Sequence, residues 1–402
     1  MWTDPLGNAV TVAGEAGRAA VADFVEGFIA SEARAANVLA ATTADDSPIV
    51  QAYAAAVHLF AESRDAPANA QPFLGKARTR MQEATPREQR FIAAIDAWAA
   101  GDIPRAIALH EEQAREFPRD LASVKLGQYH LFNIGDSQGM LRIAQGVERA
   151  SHDVPYLHGM LAFGYEQCHQ LQEAEAAARK AIAMRRKEPW AHHALAHVML
   201  TQGRNREGHD FMASVSDTWT ALNSFMVTHN WWHQALFAIE LADFDEVRRL
   251  YDTQVWGVAK DYSQDQINAV SLLARMEIAG VDVGDRWQDV ANFLETRNAD
   301  HVLPFLDVQY LYGLARAQRS QADVLMRNIE QHAQRAPPHS RSVWQEVAVP
   351  AARGMLAHAR GDYQAAARDL GRALPRMAQI GGSHAQRDLF TRIHRDSVAR
   401  AV

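Results

Sequence analysis

Two histidine steps stand out for the chemistry their spacing allows. His193 and His197 lie in Trp190-Ala-His-His-Ala-Leu-Ala-His197, and His229 and His233 in His229-Asn-Trp-Trp-His233, 36 residues further on. Residues at i and i+4 share one face of a helix, so each step aims two imidazoles in one direction. Two such helices side by side would converge four imidazoles on one point. Neutral imidazole nitrogens, with a carboxylate nearby, suit Zn²⁺, Mn²⁺ or Fe²⁺. The same groups suit metal-free acid/base work or the binding of a polar or anionic ligand, because histidine titrates near neutrality. They can also simply hydrogen-bond one another in a semi-buried groove. The hydrolytic His-Glu-x-x-His signature is absent, since Ala194 stands where its Glu would be.

Such a convergence needs helices held in register, and the chain supplies them. Alanine is abundant, Pro and Gly mark segment ends, and alternating β-branched runs are missing, so helix is expected almost throughout. Turn-like positions fall at Gly101-Asp102, Gly135-Asp136, His169-Gln170 and Gly203-Arg204, each 34 residues after the last. That is the period of tetratricopeptide units, each two antiparallel helices. Small residues recur where paired helices approach: Ala94, Ala162 and Ala196 in first helices, with Gln128 departing. In second helices they are Ala106, Ala174 and Gly208, with Met140 departing. A later unit, Met355 to Arg376, repeats the pattern with Gly361-Asp362 and Ala366. Segment 226–252 fits a further unit turning at Ala242-Asp243, after an insertion around Asp217–Met226. Residues 1–84 are expected to form an N-terminal helical cap and 85–402 a superhelix continuous with it. The loose linkers expected are Ala41–Ser47, Ala66–Pro72 and Arg335–Ser340.

In tetratricopeptide units, which this period resembles, the resemblance implies that the first helix lines the concave groove, mainly at positions 2, 5, 9, 12 and 13. With Gly203 at position 15, His193 takes position 5 and His197 position 9; the same count gives Glu166 position 12 of the preceding unit. Counting from Ala242 gives His229 position 2 and His233 position 6. His193, His197, His229, His233 and Glu166 are therefore the expected centre, catalytic or metal-ligating if the protein is an enzyme. Tyr129, His158, Asn230, Trp232, Asn268 and Asp307 are the candidate ligand contacts around it. Trp190, Trp219, Trp231 and Trp232 crowd the same units; most should pack between helices, with one or two walling a pocket. His192 should point into a helix interface or solvent. His58, His110, His332 and His339 read as ordinary surface residues, and Arg78, Arg80, Arg87 and Arg90 as a solvated basic face.

Composition narrows the classes. The 402 residues are 48% hydrophobic and 22% charged, with a net charge of −7 and scattered Lys and Arg, which argues against nucleic acid as a partner. No apolar run approaches the length of a membrane span. Met1-Trp-Thr-Asp-Pro-Leu-Gly has no leader pattern, and the lone Cys168 fits a reducing cytoplasm as a helix filler. Phosphate loops, dinucleotide fingerprints and nucleophile elbows are all missing.

Several stretches resemble the tetratricopeptide repeat protein 38 family. They are Asp4-Pro-Leu-Gly-Asn-Ala9, Phe117-Pro-Arg-Asp120, Gly159-Met-Leu-Ala-Phe-Gly164, His193-Ala-Leu-Ala-His-Val198, His229-Asn-Trp-Trp-His233, Val281-Asp-Val-Gly-Asp-Arg-Trp287 and Gly381-Gly-Ser-His-Ala-Gln-Arg387. The likeness runs over nearly the whole chain and implies a helical-repeat fold without naming a reaction. Two departures stand out. Gln309 replaces the His of an Asp-x-His step that keeps Asp307, and Asn268 stands where relatives carry Asp. The expectation is an all-α superhelix, closed enough to enclose a polar, His-rich cavity for a small polar or anionic ligand, or a peptide. The alternatives are a hydrolase or lyase using the same cluster, with a divalent metal such as zinc or manganese, and a protein-interaction scaffold.

Overall fold

The computed structural model describes residues 2–401. It is an all-α superhelix of antiparallel helix pairs. The only paired strands among the described residues are Trp2–Thr3 and Ala9–Val10. From Pro86 the pairs follow the 34-residue period: Pro86–Ala99 with Ile103–Glu116, Leu121–Asn133 with Ser137–Gln145, Pro155–Gln167 with Leu171–Met184, and Pro189–Thr201 with Asn205–Val215. The four expected turn residues all have positive φ: +75° at Gly101, +76° at Gly135, +57° at His169 and +70° at Gly203. After two of these turns an Asp side chain caps the next helix, Asp102 accepting from Arg105 N at 3.1 Å and Asp136 from Gly139 N at 2.7 Å.

The small positions do what close packing requires. Ala94, Ala106, Ala162, Ala174 and Ala196 are all buried. A Cβ on Gly208 would fall 2.2 Å from the Phe237 ring. The two departures, Gln128 and Met140, meet each other: Gln128 Nε2 donates to the Met140 carbonyl at 2.9 Å and to that of Met160 at 3.3 Å. A longer side chain is tolerated there because its polar end is satisfied by backbone.

Further pairs continue the array: Ser224–Glu240 with Phe244–Leu250, Ser263–Ile278 with Arg286–Leu294, Pro304–Arg316 with Gln321–Arg335, and Val349–Ala359 with Tyr363–Ala373. At the front, Pro48–Leu59 and Ala66–Thr79 form a pair of their own that packs on Pro86–Ala99. The expected linker Ala66–Pro72 is therefore the first half of a helix. Pro67 sits in its first turn, where the missing N–H needs no partner.

Both ends of the chain fold back onto the middle. The inserted segment 217–223 meets the segment after the first long helix, with Ala33 N bonding Ala221 O and Asn223 N bonding Ser31 O, both at 2.9 Å. Lys125 hands its three N–H bonds to Phe28 O, Ile29 O and Ser31 Oγ, which ends the Glu15–Ile29 helix against the repeats. At the other end, the stretch before the His384–Arg400 helix packs on the 133–135 turn so closely that a Cβ on Gly135 would lie 2.2 Å from Ala378 O. His384 Nε2 bonds Gln167 O at 3.1 Å and Arg275 donates to Ala385 O at 2.7 Å. These closures narrow the groove into a deep pocket with an open mouth.

Candidate functional site

The first helices of four successive pairs each bring one part of the site. Pro155–Gln167 carries Glu166, Pro189–Thr201 carries His193 and His197, Ser224–Glu240 carries His229 and His233, and Ser263–Ile278 carries Asn268. The four histidines converge: one donor atom from each lies within 4.8 Å of the others, and all four are buried. His193 Nε2 and His197 Nε2 are 3.0 Å apart. The ring of His233 lies 5.0, 4.5 and 4.9 Å from those of His193, His197 and His229.

Neighbours fix how two of the rings present their nitrogens. Asn268 Oδ1 can only accept, so His229 Nδ1, 2.9 Å away, carries the proton and Nε2 is left with its lone pair. Trp232 stacks on the same ring at 9° and 5.0 Å, with the Arg275 guanidinium over the indole at 5.3 Å. Glu166 Oε1 faces His197 Nδ1 at 3.6 Å, which favours the proton on Nδ1 and turns the Nε2 lone pair toward His193. Burial opposes ionisation of Glu166, but His197 and the more distant His384 more than offset it, and its carboxyl stays below the ordinary range. Burial, reinforced by neighbouring imidazoles, holds His193 and His233 well below 6.5 and His229 down to about 3. Those three rings are therefore neutral at pH 7 and offer lone pairs rather than positive charge.

His233 is the centre of the puzzle. It is wholly buried, and neither of its ring nitrogens has a hydrogen-bond partner among the described residues. His193 Nδ1, His197 Nδ1, Glu166 Oε1, Asn268 Nδ2, Asn230 Oδ1 and Trp232 Nε1 are likewise without one. Leaving a buried polar atom unpaired costs about 1–3 kcal/mol, and these atoms sit on the four helices that build the site.

The tetrad opens on a cavity of about 550 Å³. His193 and His229 line it, together with Phe24, Phe28, Phe60, Phe132, Phe163, Trp190, Phe225, Tyr129 and Tyr262. Residues from both chain ends complete the wall: Ala33, Ala35 and Ala36 from the front, Ser383 and Gln386 from the back. Exposed Ala36 and Ala61 mark its rim. The expected polar cavity is corrected in part: its exposed wall is largely apolar with many aromatic rings, and polar side chains, Lys125 included, stand at several points. One of these is Glu62, held by Tyr129 Oη at 2.8 Å, Ser263 Oγ at 2.6 Å and Gln264 Nε2 at 2.7 Å. Burial pushes its carboxyl up, against those three hydrogen bonds.

The structure brings together His193, His197, His229, His233, Glu166, Asn268 and Trp232, places Tyr129 in the cavity wall, and buries Asn230 with its amide on Pro189 O at 3.4 Å. Two candidates lie elsewhere. His158 gives its Nε2 to the His152 carbonyl at 2.9 Å, and Asp307 pairs with His301 Nδ1 at 2.6 Å. Gln309 bonds the Phe305 carbonyl at 3.2 Å. His192 does lie in an interface, between Arg186 O and Trp219 Nε1. Three surface readings are corrected. His110 is buried on Ser123 Oγ at 2.8 Å, Arg87 is buried on Asp120 at 2.9 Å, and His332 stacks on His301 and Trp344. Sequence reasoning missed Glu62, Lys125 and Ser383, which come from distant segments; their only local signal is a charge or hydroxyl beside an apolar run.

No protein-family model matches the chain. Among solved structures, the chain is similar to one in the structure of Naa15/Naa10 bound to HypK-THB, at 14% identity and a TM-score of 0.27. That match covers 92% of this chain and 58% of the other. The fold assignment rests on the helix pairs of this chain itself. No helix among the described residues is long and apolar enough to cross a membrane.

Proposed function

We propose that this protein binds a small molecule with an apolar, ring-bearing body in the cavity and meets its polar head group with His193 and His229. The observation that carries this reading is the cavity itself, about 550 Å³ with a largely apolar, ring-rich wall and two members of a buried imidazole tetrad at its surface. Pockets of about 300–1,000 Å³ with apolar walls and a few placed polar groups are the ordinary form of a small-molecule site. Neutral imidazoles do not draw a free anion by charge, and Lys125, the cation in the wall, is taken up by Phe28 O, Ile29 O and Ser31 Oγ, so the head group is a hydrogen-bonding one or one that binds through a cation. An open scaffold for protein partners would show a solvated, charged groove; the closures at residues 31–33 and 378–386 and the largely apolar wall speak for a small ligand.

The enzymatic alternative has one specific support, the Glu166–His197 carboxylate–imidazole couple beside unpaired imidazoles, a pairing suited to hydrolase or lyase chemistry. The sequence motifs around His229–His233 support membership of the tetratricopeptide repeat protein 38 family, and the lone Cys168 supports a reducing, cytoplasmic setting.

The test is a calorimetric titration of the metal-depleted protein with 2-naphthol, which has an aromatic body and a neutral hydroxyl. One site per chain is expected. Val57→Trp, which fills the cavity from its wall, should abolish it while thermal unfolding shows the fold intact. Absence of binding, or equal binding by the folded Val57→Trp protein, would overturn the reading.

A further inference from the structure

We infer that His193, His197, His229 and His233 are the ligands of one divalent transition-metal ion, Zn²⁺ or a borderline ion like it, held at the wall of the aromatic cavity. The inference deepens the reading of that cavity and stands on the geometry of the tetrad.

Four nitrogens from two adjacent helices lie within 4.8 Å of one another. Ligands on Zn²⁺ sit about 2.0–2.1 Å from the ion, which sets a tetrahedral edge of about 3.3 Å and an upper separation of about 4.2 Å. The His193–His197 Nε2 pair, at 3.0 Å, is already near the tetrahedral edge. The widest pair, at up to 4.8 Å, has to close by about 1.5 Å to reach the tetrahedral edge, a movement within reach of imidazole side-chain rotation. All four donors are imidazole nitrogens, which excludes Ca²⁺ and Mg²⁺, ions that need oxygen ligands.

The surroundings are those a metal-bound histidine requires. Such a ring gives its other N–H to a carboxylate or carbonyl oxygen, which fixes the tautomer. Asn268 Oδ1 does this for His229 Nδ1, and Glu166 Oε1 is placed to do it for His197 Nδ1. His233, buried with two unpartnered nitrogens, gains a partner for one of them when an ion is held. Because His193 and His229 also face the cavity, a ligand's head group could reach the ion as a fifth ligand. That class is an aromatic or branched apolar molecule ending in a metal-binding group such as a carboxylate or hydroxamate.

The experiment uses the full chain, depleted with dipicolinate, dialysed and loaded with Zn²⁺ or Co²⁺ alone. One metal per chain by elemental analysis is expected, with a rise in melting temperature on Zn²⁺ addition. The Co²⁺ form should show visible absorption bands of a nitrogen-coordinated ion. His197→Ala and His233→Ala should each lose the bands, while His158→Ala keeps them. A natural chain that stays below a tenth of an equivalent after loading, or a folded His233→Ala that binds metal as tightly, overturns the inference. 2-Naphthol binding without metal uptake leaves the cavity reading standing and removes this one. Metal uptake without 2-naphthol binding does the reverse.

Discussion

At the residue scale, the tetrad was legible because i,i+4 spacing is a geometric statement that survives any detail of packing. Its partners were less so. His233 counted to position 6, off the groove, yet it is the most enclosed of the four. The reason is the length of its helix, Ser224–Glu240, which runs 17 residues where the two preceding first helices have 13. The unit's register slips, and the site forms between two helices rather than along one groove. Asn268 is the residue whose role is most open to adjustment. A carboxylate in its place would accept the same proton from His229 Nδ1 and make the ring a better donor. Asn268→Asp is therefore expected to tighten Zn²⁺ binding, and Asn268→Ala to weaken it about 10–100-fold, as loss of an outer partner does elsewhere. Competition titration with a chromophoric chelator measures both. Equal affinity in the two variants would remove Asn268 as a positioning residue.

At the scale of elements, the repeat period was readable because glycine and small residues answer to hard contacts. The positive φ values at Gly101, Gly135 and Gly203 and the Ala-to-Ala approaches follow from sequence alone. The closures did not, because contacts between residues 31 and 223, or 135 and 378, leave no periodic trace. Two glycines with nearly equal φ separate the two effects. A Cβ added at Gly101 would meet nothing within 4 Å, whereas one on Gly135 would strike the Ala378 carbonyl. Gly101→Ala should therefore cost only the left-handed backbone penalty, roughly 1–2 kcal/mol. Gly135→Ala should cost more and should expose residues 374–383 to proteolysis. Equal losses of melting temperature and equal cleavage patterns would show that the C-terminal closure does not depend on this approach.

For the whole molecule, the buried histidines set a pH dependence. Burial lowers His110 to about 3 and His192 to about 4, and takes His130, beside His110, well below its ordinary value of 6.5. Below pH 6.5 the unfolded chain takes up protons that the folded chain refuses, so stability is full above that pH and falls as acid is added. Each such group contributes up to about 1.4 kcal/mol per pH unit. These rings should make the melting temperature drop from pH 6.5 to 5; a flat profile there would mean they are not buried neutral in solution. The sharpest test of the cavity as a ligand site is a crystal structure with 6-bromo-2-naphthol, located by bromine anomalous scattering. A bromine peak is expected among the aromatic side chains of the cavity, with the hydroxyl oxygen against His193 and His229. A ligand bound elsewhere, or lodged in the cavity with its hydroxyl turned away from the tetrad, would contradict that assignment.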